Sequence, residues 1–324
     1  FNYIQHAEWR GTIYRKGLDK DGNVCHDEDP TICPGNWDAA KKLSELGAAS
    51  RKIWTVLPDK PYIGNWNNWI VGNNTEINKL FEQTGNIVQD YHNPGSECAI
   101  VDGSGNSDDI DGLIKFVRGY DYFAYGGCAN INLERAHMLG DIYHSQLVEV
   151  GDPRANTNFT STKQESYWRV KNNYQGFARA NSTRKKIVYA GANDGMLHAF
   201  NADTGTEEWA FIPPFIASKL PGIVNPGLDG INDDKGGTNA IFAVDGDPVV
   251  HDMFFKGLVA DGSLESSESW HTILMITYGR GGPGFSVLDI TNPDKPLHMH
   301  SVYNDIYSNN ILVADKDGTI KSYG

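Results

Sequence analysis

Alternating apolar residues run from 186 up to the turn Asn193-Asp194-Gly195, and the alternation resumes after it as far as Phe200. Asn, Asp and Gly adopt positive φ at little cost, so this pattern predicts a tight β-hairpin. The turn-forming run Asn201-Ala202-Asp203-Thr204-Gly205 is followed by the apolar stretch 208–212, a third strand, and 139–151 supplies a fourth. The four make one antiparallel unit.

The same order of parts returns downstream. Segment 244–255 mirrors 139–151, 271–279 mirrors the strand at Ile187, 285–291 mirrors the strand at Met196, and 297–302 closes the unit. A third, partial copy lies at 310–323 and a fourth at 8–14. Repetition of a four-stranded sheet that cannot bury both faces alone predicts an all-β fold, a modified and partial β-propeller of about four traceable blades. The clearest blades are 139–212 and 244–302. Residues 38–135 do not follow this period. Within them 37–46 reads as a helix capped by Asp38, and 109–119 as a helix ended by Gly119, so the segment is expected to be an inter-blade insertion of short helices and loops held on the surface.

Composition narrows the picture. Of 324 residues, 40% are hydrophobic and 21% charged, enough apolar content for a buried core. Twenty-eight basic residues against 41 acidic give a net charge of −13, which argues against nucleic acid or an anionic membrane as partner. No apolar run approaches the roughly 20 residues of a membrane-spanning helix. A start at Phe1 and an end at Gly324 in apparent mid-strand point to one propeller-like domain over 1–324, cut at both ends. The four cysteines form two locally close pairs, Cys25 with Cys33 and Cys98 with Cys128. An even count outside CxxC spacing favours disulfides and an oxidising compartment over free thiols or a metal site.

Few motifs carry chemistry. Gly279-Arg280-Gly281-Gly282-Pro283-Gly284 matches GxGxxG, but a strand follows where a dinucleotide site needs a helix N-terminus, so a glycine-rich hairpin is expected. His298 and His300 fall on one face of a strand by alternation, with no third ligand. The stretch 19–27 is more informative: Asp19, Asp21, Asn23 and Asp27 place oxygen donors at positions 1, 3, 5 and 9 with Gly22 at 4, the spacing of a short calcium loop. A solvated acidic hairpin is the alternative. The run 102–109 reads as a helix-capping loop.

Three motifs in order, Leu139-Gly140-Asp141-Ile142-Tyr143-His144-Ser145, then 188–200, then Trp209-Ala210-Phe211-Ile212-Pro213-Pro214, resemble the C-terminal β-propeller domain of type IV pilus tip adhesins and biogenesis proteins of the PilY/PilC type. Val244-Asp245-Gly246-Asp247-Pro248, 287–293, Trp37-Asp38-Ala39-Ala40 and Phe116-Val117-Arg118-Gly119 extend the likeness, whereas 52–107 and 152–183 carry little of it.

The resemblance implies a non-enzymatic protein at the pilus tip or outer cell surface, exported through the periplasm. It would prime pilus assembly with minor pilins and other pilus components, oppose retraction, and bind host-cell or abiotic surfaces. It also implies a calcium loop just before a strand such as 311–315; here, of positions 1, 3, 5 and 9 in 302–310, only Asn304 and Asn310 are of ligand type. Two other classes are weighed. A periplasmic or outer-membrane scaffold propeller would share the fold without surface display. A quinoprotein-type dehydrogenase would repeat the Ala192-Asn193-Asp194-Gly195 to Trp209 pattern in nearly every blade.

Overall fold

The computed structural model describes residues 10–26, 32–82, 107–120, 133–225, 237–238 and 240–324. Short strands β1 (Tyr14–Arg15), β2 (Trp37–Asp38) and β3 (Ile53–Trp54) alternate with helices α1 (Ala39–Leu46), α2 (Asn74–Glu82) and α3 (Ser107–Arg118). Then come β4 (Val148–Val150), helices α4 (Glu165–Lys171) and α5 (Tyr174–Ala180), and strands β5 (Ile187–Gly191), β6 (Leu197–Asn201) and β7 (Glu207–Phe211). After α6 (Pro214–Ala217) and the two-residue strands β8 (Val224–Asn225) and β9 (Gly237–Thr238), the chain runs through β10 (Pro248–Phe255), β11 (Ser269–Thr277), β12 (Gly284–Asp289), β13 (Leu297–Asp305), β14 (Asn310–Ala314) and β15 (Ile320–Tyr323).

Two sheets dominate. The first has the order β3-β7-β6-β5-β4, with β4 to β7 antiparallel and β3 added parallel to β7. The second is a six-stranded meander, β10 to β15 in sequence order. The 310–323 segment thus extends the second sheet, because a four-residue connection from Asp305 to Asn310 is too short to reach a separate one. Gly195, at φ +96°, makes the predicted hairpin turn between β5 and β6. The glycine-rich run is a hairpin joining β11 to β12, and a Cβ on Gly281 would collide with the Ala243 carbonyl.

The period-2 rule decides which residues sit between the sheets. Tyr189, Leu197, Trp209 and Phe211 of the first sheet pack against Leu274, Ile276 and Leu288 of the second. The Trp209 indole donates to the Pro293 carbonyl at 2.8 Å, so its one polar atom is satisfied within this core. Phe200 and Ala190 point the other way, onto Trp37, Leu43 and Leu139. The described residues of 38–135 are not a surface appendage: Ile53, Trp69, Ile77, Phe81, Leu113 and Ile114 are buried in one cluster with Ala210 of β7 and with Met196 and Ile212 beside the sheet. The amphipathic faces of α2 and α3 need a partner: the helices pack on each other, on α6 and on 220–223, with Ala210 of β7 and the flanking Met196 and Ile212 in the same cluster. At the ends of these helices, Asp38 caps α1 by accepting from Ala40 N–H (2.8 Å) and Lys41 N–H (3.2 Å), and Gly119 closes α3 with φ +121°.

Candidate functional site

Two of the three motif segments, 139–145 and 188–200, converge with the Val244-Asp245-Gly246-Asp247-Pro248 segment at one junction. Asn193 donates through its backbone to the Asp141 carbonyl (3.0 Å) and through Nδ2 to Asp141 Oδ2 (2.9 Å), and its Oδ1 accepts Ala243 N–H (3.1 Å). Asp245, buried, accepts His144 N–H at 3.3 Å and holds the His144 ring, Nδ1 to Oδ2, at 2.6 Å. Asp247 Oδ1 accepts Gln146 N–H at 2.8 Å, and the Ser145 hydroxyl accepts Gly191 N–H at 3.0 Å. The short polar residues of these motifs therefore bond backbone groups at the end of β5 and in the loops beside it.

Beneath the junction lies a buried chain of alternating charges. Gly140 N–H donates to Asp194 Oδ2 (2.8 Å), and His198 Nε2 lies 3.1 Å from both oxygens of Asp194. Its Nδ1 lies 2.7 Å from Glu207 Oε1, and Arg51 clasps Glu207 in a bidentate pair of 2.8 and 2.9 Å. All four side chains are at most 5% exposed. Carboxylates flank both ring nitrogens, so both nitrogens donate and His198 is an imidazolium. Burial alone would lower its pKa, but Asp194 and Glu207 raise it to about 9. Burial likewise opposes the Glu207 charge, yet Arg51 and His198 hold its pKa at about 2. Arg51 also donates to the Arg118 carbonyl (3.0 Å), and Arg118 returns a bond to the Arg51 carbonyl (2.6 Å), so the helical segment is tied into the sheet through this chain.

A β-bulge makes the arrangement possible. By alternation Glu207 shares the face of Trp209, toward the second sheet. The register between β6 and β7 slips at Ala199/Phe200, pairing Ala199 with Trp209 but Phe200 with Glu207, which turns Glu207 onto the face of His198. A bulge at Val287/Leu288 has the matching effect in the second sheet. His298 opposes Leu288 in the core and His300 opposes Val287 on the other face, so the two histidines expected on one face are separated. His298 is buried, bonds Ser301 Oγ at 2.8 Å, and burial drops its pKa to about 3, leaving it neutral.

The junction has an exposed rim. Tyr143 is 67% exposed and meets the His144 ring edge-on at 4.4 Å. Phe242, 38% exposed, lies 6.4 Å from the Tyr143 ring, and the Arg280 guanidinium sits over its face at 4.8 Å.

The Asp19 loop is a tight turn in which Asp19 Oδ1 accepts Asp21 N–H (2.9 Å) and Asn23 N–H (2.8 Å). Those bonds, the Asn23 one foremost, lower the Asp19 pKa. Asp19 Oδ2, Asp21 and Asn23 remain at the solvent side; Asp27 lies outside the described residues. The hairpin at Asp315 repeats this turn, with Oδ1 accepting Asp317 and Thr319 N–H at 3.0 Å each. In 302–310, Asn304 is within β13 and Asn310 opens β14, while Asp305 closes the hairpin by accepting Tyr307 N–H (3.1 Å) and the Ser308 hydroxyl (2.5 Å). Cys25 and Cys33 are disulfide-bonded, with Cα atoms 5.8 Å apart; Cys98 and Cys128 lie outside the described residues.

The family described as the PilY1 beta-propeller domain matches residues 139–310, more than half of the chain. The chain belongs to the PilY1 β-propeller domain family. That span holds both major sheets except β3 and most of the last hairpin, together with every motif of the junction. A "Type IV pilus biogenesis factor PilY1" of Pseudomonas aeruginosa (strain UCBPP-PA14) is 40% identical over 161 residues, 50% of this chain and 12% of that protein. A "Type IV pilus biogenesis factor PilY1 homolog" of Xylella fastidiosa (strain Temecula1 / ATCC 700964) is 34% identical over 165 residues, 50% of this chain and 11% of that one. These matches span only about an eighth of their relatives' length. The crystal structure of the Pseudomonas aeruginosa PilY1 C-terminal domain aligns at 26% identity with a TM-score of 0.32, covering 54% of this chain and 36% of that one.

The buried chain Arg51-Glu207-His198-Asp194 was not anticipated from sequence. One signal was present: Glu207 sits at the start of a strand whose next residues of the same parity, Trp209 and Phe211, are core.

Proposed function

We propose that this domain acts in a type IV pilus-associated protein of the cell surface or pilus tip, as a non-enzymatic binding part that serves pilus biogenesis and adhesion. The observation that carries this reading is where the family motifs go. Their carboxylates and histidine are spent on one another and on backbone groups within a closed junction, and what that junction offers to solvent is a preorganised aromatic rim of Tyr143, Phe242 and Arg280. Aromatic and arginine side chains locked by their neighbours lose little freedom on binding, which suits contact with a protein partner. Family membership and the printed names of the relatives support a partner among type IV pilus components; within this reading the partners are minor pilins. Adhesion to a host-cell or abiotic surface would use the same exposed rim or the helical segment. Calcium is assigned, as part of the same reading, to the loop of Asp19, Asp21, Asn23 and Asp27.

The test is a chromosomal deletion complemented with the full-length gene, either unaltered or carrying Tyr143→Ala and Phe242→Ala. Surface pili and attached cells should fall in the deletion, return with the unaltered gene, and stay low with the double variant at equal protein level. Unchanged piliation in the deletion would reject the pilus reading.

A further inference from the structure

A second surface, lined by none of the junction's residues, has the makings of a binding site. Between α4 and the neighbouring ends of β10 and β11 runs a groove of about 450 Å³, within the range of ligand pockets. Its aromatic walls are Trp168, Phe254 and Trp270, and its carboxylates are Glu165, Asp252 and Glu268. We propose that this groove binds an arginine or lysine side chain carried by an extended basic segment of a protein partner.

Three observations converge on a cationic occupant. No Lys or Arg lines the groove among the described residues, although three carboxylates do. Asp252 is satisfied, its oxygens accepting the Thr272 hydroxyl at 2.6 Å and the Tyr174 hydroxyl, and Glu165 is shared by Arg169 at 2.8 Å and His251 at 2.6 Å. Glu268 is exposed and makes no ion pair among the described residues, which leaves one carboxylate free to take an incoming charge. Arg169 pairs with Glu165, and Arg184 reaches Asp252 through the Thr272 hydroxyl, so Glu268 is the carboxylate of the lining left for an incoming charge, in a chain whose net charge is −13.

The aromatic walls fit the same ligand. Trp270 is a fixed wall: its indole N–H donates to the Asn172 carbonyl at 2.7 Å, and Phe254 and Tyr174 pack on it at 5.4 and 4.9 Å. Trp168 is 48% exposed and already carries an ammonium of this chain, Lys171 Nζ at 4.4 Å from its ring centre, while Lys171 itself does not line the groove. Lys171 shows that this ring takes a cation, and an incoming guanidinium would displace the Lys171 ammonium from it. A guanidinium between Trp168 and Glu268 would gain ring attraction and a charge-assisted hydrogen bond together, whereas a neutral sugar could use the ring but would leave the carboxylate field unanswered.

The test is isothermal titration of the purified protein at low ionic strength with a capped diarginine tetrapeptide, its diglutamine counterpart, and a neutral methyl pyranoside. The diarginine peptide should bind, weaken as salt rises, and outbind the diglutamine peptide. Glu268→Gln and Trp168→Ala, both at exposed positions, should each weaken it by about three- to fivefold while leaving the melting curve in place. Equal binding of the charged and neutral peptides, no binding of either, or affinity unmoved by both substitutions would overturn the proposal. Preferential binding of the pyranoside would overturn it in favour of a carbohydrate site.

Discussion

Replacing Glu207 by Gln keeps the shape of the side chain and removes the charge at the centre of the buried chain. Arg51 would then face an amide, and His198 would keep only Asp194. The shift of the Glu207 pKa from 4.5 to about 2 corresponds to roughly 3 kcal/mol of folded-state stabilisation of the charged form, at about 1.4 kcal/mol per unit. Removing one partner of a buried ion pair costs about 3–5 kcal/mol in general, so two independent routes give the same size. Glu207→Gln should therefore lower stability by about 3–4 kcal/mol in urea unfolding followed by tryptophan fluorescence at pH 7. Emission is a suitable probe because Trp54 and Trp209 are buried within 5.9 Å of one another. Replacing both partners, Arg51→Met with Glu207→Leu, should cost less than either single change, because no charge is stranded. A loss below about 1 kcal/mol for Glu207→Gln, or strictly additive single and double changes, would refute this account of the network.

The remaining predictions concern pH, the disulfide and calcium. Because the folded-state pKa of His198 is raised from 6.5 to about 9, its contribution is complete below pH 6.5 and is lost as pH rises through 9, so unfolding midpoints should fall across that window, and His198→Gln should flatten the fall. Glu207 works in the opposite direction, its contribution being complete above pH 4.5 and lost as pH falls toward 2. Cys25→Ser should cost about 2–3 kcal/mol by chain-entropy accounting for a loop of this size, read as earlier local proteolysis between 17 and 36; unchanged cleavage would count against a structural role. Calcium titration should release or absorb heat with the unaltered protein and lose that signal in Asp21→Ala, and equal heats in both would reject the Asp19 loop as the site.

How far the sequence could be read depended on whether local rules acted alone. Asp38 as the cap of α1, Gly119 as the stop of α3 and the Asn193-Asp194-Gly195 hairpin were legible because each is decided by the nearest few residues. The facing of Leu197 and Trp209 toward the second sheet was legible for the same reason, whereas the strand pattern that also puts Val188 and Phe200 between blades misleads: Phe200 faces Trp37, Val188 pairs with Phe200, and Tyr189 takes the place in the core. Both bulges were hidden, since a single extra residue in one strand reverses a face without altering composition. They carry Glu207 to His198 and part His298 from His300. Arg51 lies 156 positions from Glu207, and no local pattern marks such a pair. The burial of 53–81 in the cluster around Ala210 and Ile212 was missed because the Asn-rich and Gly-rich stretches here give no period, while the few tryptophans and leucines that anchor the segment are widely spaced.

The most direct test of the pilus reading is a photoreactive amino acid placed at Phe242 in the full-length protein, irradiated in living cells, with the crosslinked partner identified by mass spectrometry. The account predicts a crosslink to a type IV pilin-class subunit, lost when the same probe is placed at Val249 on the exposed side of β10. Crosslinks solely to proteins outside the pilus system, or equal pilin crosslinks from both positions, would contradict it.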